Sequence, residues 1–244
     1  MCIRDRNGFE KNIADYTGSN FAIATVNGTS ALHISMILSG VEPGDEVLTQ
    51  ALTFIATCNA ISYSGASPTF IDIDIDTLGM SPKSLKSFLA KYAVKKGKHT
   101  FNKLSGKRIG ACIPMHTFGF PVRIEEICDV CEDWNIPLIE DAAESLGTFS
   151  NKKHTGTFGQ MGTLSFNGNK VITTGGGGMI IGGGRGTFND DSCFSTGHST
   201  TEYSTMSGKS EKCTMVSAKM FLFSFSLYAE MLRDFYFLLC FTFE

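Results

Sequence analysis

Ile136-Pro137-Leu138-Ile139-Glu140-Asp141-Ala142-Ala143-Glu144-Ser145 reads as an apolar strand that delivers acids at its C-terminal end. In an open α/β sheet that end is the edge where ligands are held, which places Asp141 well for a functional role. A carboxylate buried there needs a partner, and a protonated heteroaromatic nitrogen is one candidate. An N-cap or a salt bridge is the structural alternative, and this stretch alone leaves both open.

Working outward, residues 21 to about 183 alternate short β-rich runs with helical segments, the pattern of a βαβ domain with a largely parallel sheet. Strands are predicted at 21–26, 46–50, 68–73, 109–115 and 136–139, with shorter ones at 163–166 and 179–181. Helices are predicted at 30–38, 54–62, 82–92 and 124–133. Ala31, Ile34, Ile37 and Leu38 form one apolar face, and Leu85, Phe88 and Leu89 another. Residues 95–108 carry six Lys or Arg and no acid, which reads as a solvated loop ahead of an anion site.

The chain of 244 residues is long enough for one large α/β domain. A formal charge of −3 and a pI near 6.0 provide no basic field pointing to nucleic acid or an anionic membrane. Eight scattered cysteines and no N-terminal signal pattern suggest reduced thiols in a cytoplasmic protein. Cys128 and Cys131 form a C-x-x-C, but they share a helical pattern with Ile124, Ile127 and Val130. No second pair follows at zinc spacing, so buried thiols are expected.

Two further motifs carry chemistry. Asn27-Gly28-Thr29-Ser30 lies between a strand and an amphipathic helix, where free backbone N–H groups and the helix dipole can hold an anion such as phosphate; Thr29 or Ser30 capping the helix is the plainer reading. Ser165-Phe166-Asn167-Gly168-Asn169-Lys170 follows a strand and precedes Thr173-Thr174-Gly175-Gly176-Gly177-Gly178, glycines that let backbone turn tightly or approach a ligand. Lysine amines become nucleophiles where partial burial disfavours their charged form, which makes Lys170 a candidate. Gly182-Gly183-Gly184-Arg185-Gly186 lacks the strand-turn-helix context of a dinucleotide fingerprint.

Taken in order, these segments, with Glu42-Pro43-Gly44-Asp45-Glu46-Val47 and Thr53-Phe54-Ile55-Ala56-Thr57, resemble the DegT/DnrJ/EryC1/StrS family of pyridoxal-phosphate-dependent sugar aminotransferases. The resemblance spans residues 21 to about 183. It implies an α/β, fold type I large domain with a mostly parallel sheet flanked by helices. Lys170 would carry the Schiff base and move the substrate proton, and Asp141 would hold the pyridinium nitrogen protonated. Phe54 matches the aromatic position that stacks on the cofactor ring. Gly28, Thr29 and Ser165, with Ser30 as a weaker member, match groups that hold its phosphate. Glu144 stands near the ring hydroxyl, where many members carry Gln. His116, in Pro114-Met115-His116-Thr117-Phe118-Gly119, matches a segment near the site and is a possible substrate-side group.

Glutamate as amino donor, a nucleotide-linked keto-deoxy sugar as acceptor, amino-sugar biosynthesis and a homodimer are further implications of the resemblance. Family members are longer, with more residues before the Gly28 motif and a C-terminal small domain. Residues 1–184 are expected to form the cofactor-binding large domain, with Met1–Arg6 leading into no recognisable domain start. Residues 185–244 form an unassigned tail, Ser/Thr-rich and then carrying seven Phe from Met220 onward. Glu230, Arg233 and Asp234 interrupt its apolar stretches below the length of a membrane span. The rival readings are a truncated, inactive or regulatory module that holds the cofactor without turnover, and a sugar dehydratase of the same family. Lys170 weighs against the dehydratase, because members with that activity replace the lysine.

Overall fold

Short β-branched runs alternating with amphipathic helices bury two faces of one sheet, because each crossover lays a helix against it. The structure of the protein, a computed structural model, describes residues 3–182. The tail and the glycine run beyond Gly182 lie outside the described residues. The helices are α1 (Ile3–Thr17), α2 (Gly28–Leu38), α3 (Ile55–Tyr63), α4 (Pro82–Tyr92) and α5 (Ile124–Asp133). The strands are β1 (Phe21–Thr25), β2 (Glu46–Gln50), β3 (Ser67–Ile71), β4 (Ala93–Lys96), β5 (His99–Asn102), β6 (Ile109–Ile113), β7 (Ile139–Asp141), β8 (Phe149–Ser150), β9 (Lys153–His154), β10 (Met161–Ser165) and β11 (Gly178–Gly182).

A three-stranded sheet in the order β3-β2-β6 and a four-stranded one in the order β7-β10-β11-β1 meet edge to edge. Parallel bridges Cys112↔Leu138 and Met115↔Asp141 join β6 to β7. β11 runs antiparallel to β1 and to β10, and the other neighbours are parallel. The largely parallel sheet expected from the sequence therefore has one reversed strand. Period-two alternation sorts its side chains. Val47, Ala111, Ile113 and Ile139 pack with Leu32, Met36, Ala60 and Ile61 of α2 and α3. Leu48, Cys112 and Leu138 pack on the other face with Leu85, Leu89, Ile124 and Ile127 of α4 and α5. Cys128 and Cys131 lie on that buried face of α5.

Two expectations are corrected. The opening segment does lead into the domain: α1 runs from Ile3, Phe9 meets Phe166 edge-on at 5.0 Å, and Glu10 accepts the Ala24 amide at 2.9 Å. Its apolar face rests mainly on Phe9 and Ile13, too sparse a period to stand out in sequence. The basic segment 95–108 is not a plain loop, because β4 and β5 pair as a hairpin turning at Gly97, whose φ is +62°. Ala93, Thr100 and Asn102 are buried, while Lys95 and Lys96 lay their ammonium groups over Trp134 and Phe101. Long lysine stems can cover apolar rings and keep their charge in water, so the charge count hid a strand pair.

Arg108, at the end of that segment, serves the fold. Its guanidinium donates to both carboxylate oxygens of the buried Asp45, at 2.9 and 2.6 Å, and to the Gly40 carbonyl at 2.7 Å. Bidentate pairing of this kind is geometrically demanding. Arg108→Ala is expected to lower stability by about 1–2 kcal/mol, and Arg108→Lys to restore only part of it, as read from urea denaturation midpoints.

Candidate active site

The C-terminal ends of parallel strands β1, β2, β6, β7 and β10 open on one edge, and Gly28, Phe54, His116, Asp141, Glu144, Ser165 and Lys170 lie at those ends or on the turns that leave them. This is where open α/β sheets hold ligands.

The turn from β1 to α2 forms an anion cradle. Asn27 caps the helix, its Oδ1 accepting the Ser30 amide at 2.8 Å. The cap is therefore Asn27, and Thr29 and Ser30 fall within the first turn. The cap takes up the Ser30 amide, while the amides of Gly28 and Thr29 belong to the first turn and have no intrahelical acceptor. A Cβ on Gly28 would stand 3.0 Å from Ser165 Cβ and 3.3 Å from its Oγ, and one on Gly178 would stand 2.3 Å from the Asn27 carbonyl. Glycine at both places lets the helix N-terminus close onto the ends of β10 and β11, bringing Gly28, Thr29 and Ser165 together. A phosphate fits this donor set.

After β10, the buried Phe166 anchors a tight turn in which the Lys170 amide donates to Asn167 O at 3.0 Å. The glycine run then returns the chain into β11. Lys170 Nζ lies 3.1 Å from Glu144 Oε1 and 5.7 Å from the centroid of the Phe54 ring, and its side chain is 11% exposed. Glu144 Oε2 accepts the Phe118 amide at 3.0 Å. Amine, carboxylate and an exposed aromatic face thus meet at one place.

Asp141 is 2% exposed. Its Oδ2 accepts from Thr57 Oγ1 at 2.7 Å and its Oδ1 from the Ala143 amide at 3.2 Å. Burial pushes its carboxyl above the usual range, and these two hydrogen bonds with the charge of Lys170 only partly oppose that. A protonated ring nitrogen brought to this carboxylate would supply the counter-charge that burial calls for. Thr57 was missed in the sequence, where a threonine near a helix start reads as a cap. The available signal was its polarity on the face of α3 that also carries Ala60 and Ile61.

His116 is placed differently from its expected substrate-side position. Its ring has no exposed surface. Nδ1 accepts the Val122 amide at 3.3 Å, so the proton sits on Nε2, which faces Glu140 Oε2 at 3.0 Å. Both nitrogens are engaged beneath the site, and the His116 amide donates to Asp141 O at 3.0 Å. The residue supports the strand that carries Asp141.

The model of the DegT/DnrJ/EryC1/StrS aminotransferase family matches residues 4–214. The chain belongs to this family. The Bacillus subtilis protein named "Putative pyridoxal phosphate-dependent aminotransferase EpsN" is 42% identical over 175 residues, 72% of this chain and 42% of its own length. A GDP-perosamine synthase of Caulobacter vibrioides is 39% identical over 183 residues, 75% of this chain and 43% of its own length. Among solved structures, 3-amino-5-hydroxybenzoic acid synthase superposes with a TM-score of 0.65 at 28% identity, covering 76% of this chain and 44% of that one. The chain spans less than half the length of these relatives. Its architecture is the fold type I large domain expected of a DegT/DnrJ/EryC1/StrS member.

Proposed function

We propose that this chain is the cofactor-holding part of a pyridoxal-phosphate-dependent aminotransferase that moves the amino group of glutamate onto a nucleotide-linked keto-deoxy sugar. The observation that carries the reading is the position of the Lys170 amine, between Glu144 and the Phe54 ring on the edge that also holds Asp141 and the Gly28 cradle. When bound, pyridoxal phosphate supplies an electron-withdrawing ring next to the carbon that loses its proton. The chain's residues supply the rest. Gly28 and Thr29 amides and the Ser165 hydroxyl hold the phosphate, Phe54 covers a ring face, and Asp141 keeps the ring nitrogen protonated. Lys170 anchors the cofactor and moves the proton at the substrate carbon, with Glu144 orienting its amine. The name of the perosamine synthase relative, a GDP-linked amino sugar enzyme, supports the nucleotide-sugar acceptor.

A homodimer is part of this reading. Ile55, Phe118, Phe120, Val171 and Ile172 are all more than half exposed on segments that also carry site residues, and a second subunit would cover such a rim. Cysteines held as thiols, with Cys112 and Cys131 buried, suit a reducing cytoplasm. Residues 1–184 are the cofactor-binding domain in this proposal.

The test loads the purified chain with pyridoxal phosphate, then adds glutamate and measures 2-oxoglutarate and the cofactor's absorbance. The expected result is 2-oxoglutarate in proportion to loaded chain, followed by amino transfer to a GDP-linked keto-deoxy sugar. Cofactor held on Lys170 with no 2-oxoglutarate formed would instead identify a binding module.

A further inference from the structure

Asp141 and the start of α3 are 84 residues apart in sequence, yet a short chain of hydroxyls connects them. Asp141 and Ile139 share a face of β7, the face covered by α2 and α3, so the carboxylate arrives against the first turn of α3. There, Thr57 Oγ1 lies 2.7 Å from Asp141 Oδ2 and 2.8 Å from Thr53 Oγ1. Thr53 Oγ1 in turn lies 3.2 Å from Met115 Sδ. Thr57 has no exposed surface.

Each hydroxyl has one proton, so this chain has two arrangements. With Asp141 ionised, Thr57 donates to the carboxylate and accepts from Thr53. With Asp141 protonated, the acid can donate to Thr57, Thr57 to Thr53, and Thr53 to the thioether. The first arrangement ends in a charge-assisted bond to a carboxylate, the second in a weak bond to sulfur. The N-terminal end of α3 also favours a negative charge beside it.

We propose that Thr57, backed by Thr53, is a positioning residue that holds the Asp141 carboxylate in its ionised form and in one orientation. The inference rests on the reading above for why an ionised Asp141 matters, but the device itself is independent of any ligand. It opposes the burial that drives this carboxyl toward its neutral form. Lys170 and His116 are the charged or titratable neighbours acting in the same direction. The same helix start carries Phe54 as its N-terminal flanking residue, so one turn of chain sets both the exposed ring and the buried carboxylate.

The test compares Thr57→Val, which keeps the shape and loses the hydroxyl, with Thr57→Ser, which restores it. In the cofactor-free chain, the Asp141 carboxyl titration, followed by side-chain carbon NMR, is expected to move to higher pH in Thr57→Val and to return in Thr57→Ser. Affinity for pyridoxal phosphate is expected to fall about tenfold in Thr57→Val, the loss of one charge-assisted hydrogen bond. Far-UV circular dichroism checks that each variant is folded, and Thr53→Val gives a smaller shift of the same sign if Thr57→Val does not fold. A titration unmoved in a folded variant would overturn the proposal and leave Thr57 as packing. A titration that moves with no change in affinity would uphold the hydroxyl relay and overturn the assignment of Asp141 to the cofactor.

Discussion

Lys170→Ala is expected to abolish covalent retention of pyridoxal phosphate by this chain. After borohydride reduction, the unaltered protein should carry the cofactor's mass on the single peptide that contains Lys170, and the variant should carry none. The expectation follows from placement. The side chain is 11% exposed, fixed at 3.1 Å by Glu144 and set over Phe54, whereas Lys83, Lys86, Lys95, Lys96 and Lys98 belong to exposed residues of α4 and the β4–β5 hairpin. A reactive amine needs a defined geometry next to the group it attacks, and Lys170 has one, beside Glu144 and the Phe54 ring. Proton exchange at the α-carbon of glutamate should fall by on the order of 10²–10⁴-fold, the usual contribution of a positioned acid–base group. Lys170→Arg separates charge from chemistry: the guanidinium can still meet Glu144 but is a permanent cation with no free amine, so retention should be lost there too. Labelling of another lysine in the unaltered chain, or a cofactor that stays attached in Lys170→Ala, would remove Lys170 from its proposed role.

How well the sequence reads depends on whether a residue's partners are local. β2, α4 and α5 match the predicted bounds of 46–50, 82–92 and 124–133, because each has a full period of buried residues between clear start and stop signals. The strand around Asp141 begins three residues later than predicted, at Ile139, since Pro137 cannot donate to a ladder. The Gly28, Asp141 and Lys170 segments were visible as strand-to-turn motifs, and the resemblance supplied their proposed roles. What remained hidden had two causes. Three adjacent polar residues compete locally to cap α2, and Asn27 takes the place of Thr29 or Ser30, while Thr57 finds Asp141 from 84 residues away. His116 stood as a possible substrate-side group because its segment matches one near the family's site, while its partners here, Glu140 and Val122, make it a strut.

Glu140 is the acid that sequence reading passed over, and alternation along a strand explains its role. Neighbours on a strand point to opposite faces, so as Asp141 turns toward α3, Glu140 turns the other way, to the side of Leu138. There it has no exposed surface. Its Oε1 accepts the amides of Phe158 and Gly159 at 2.6 and 2.7 Å, and its Oε2 accepts the Gly156 amide at 2.7 Å and faces His116 Nε2 at 3.0 Å. One carboxylate therefore satisfies three backbone donors from the loop before β10 and the histidine beneath β7. Glu140→Ala would leave all four without an acceptor in a dry interior, at a cost of about 1–3 kcal/mol each before relaxation or entry of water. The net loss is expected to reach about 3–5 kcal/mol, a large share of the roughly 5–15 kcal/mol that holds a domain folded. Glu140→Gln gives a graded result if the alanine variant does not fold. Its amide oxygen can replace one carboxylate oxygen, but its NH₂ then faces either the Phe158 and Gly159 amides or Gly156 and His116. His116 cannot relieve the second clash by changing tautomer, because Nδ1 must stay an acceptor for Val122. Urea denaturation of Glu140→Gln, His116→Ala and the double variant should show strong non-additivity. Additive losses would mean that Glu140 and His116 act separately, and that the strand carrying Asp141 is held in place by packing alone.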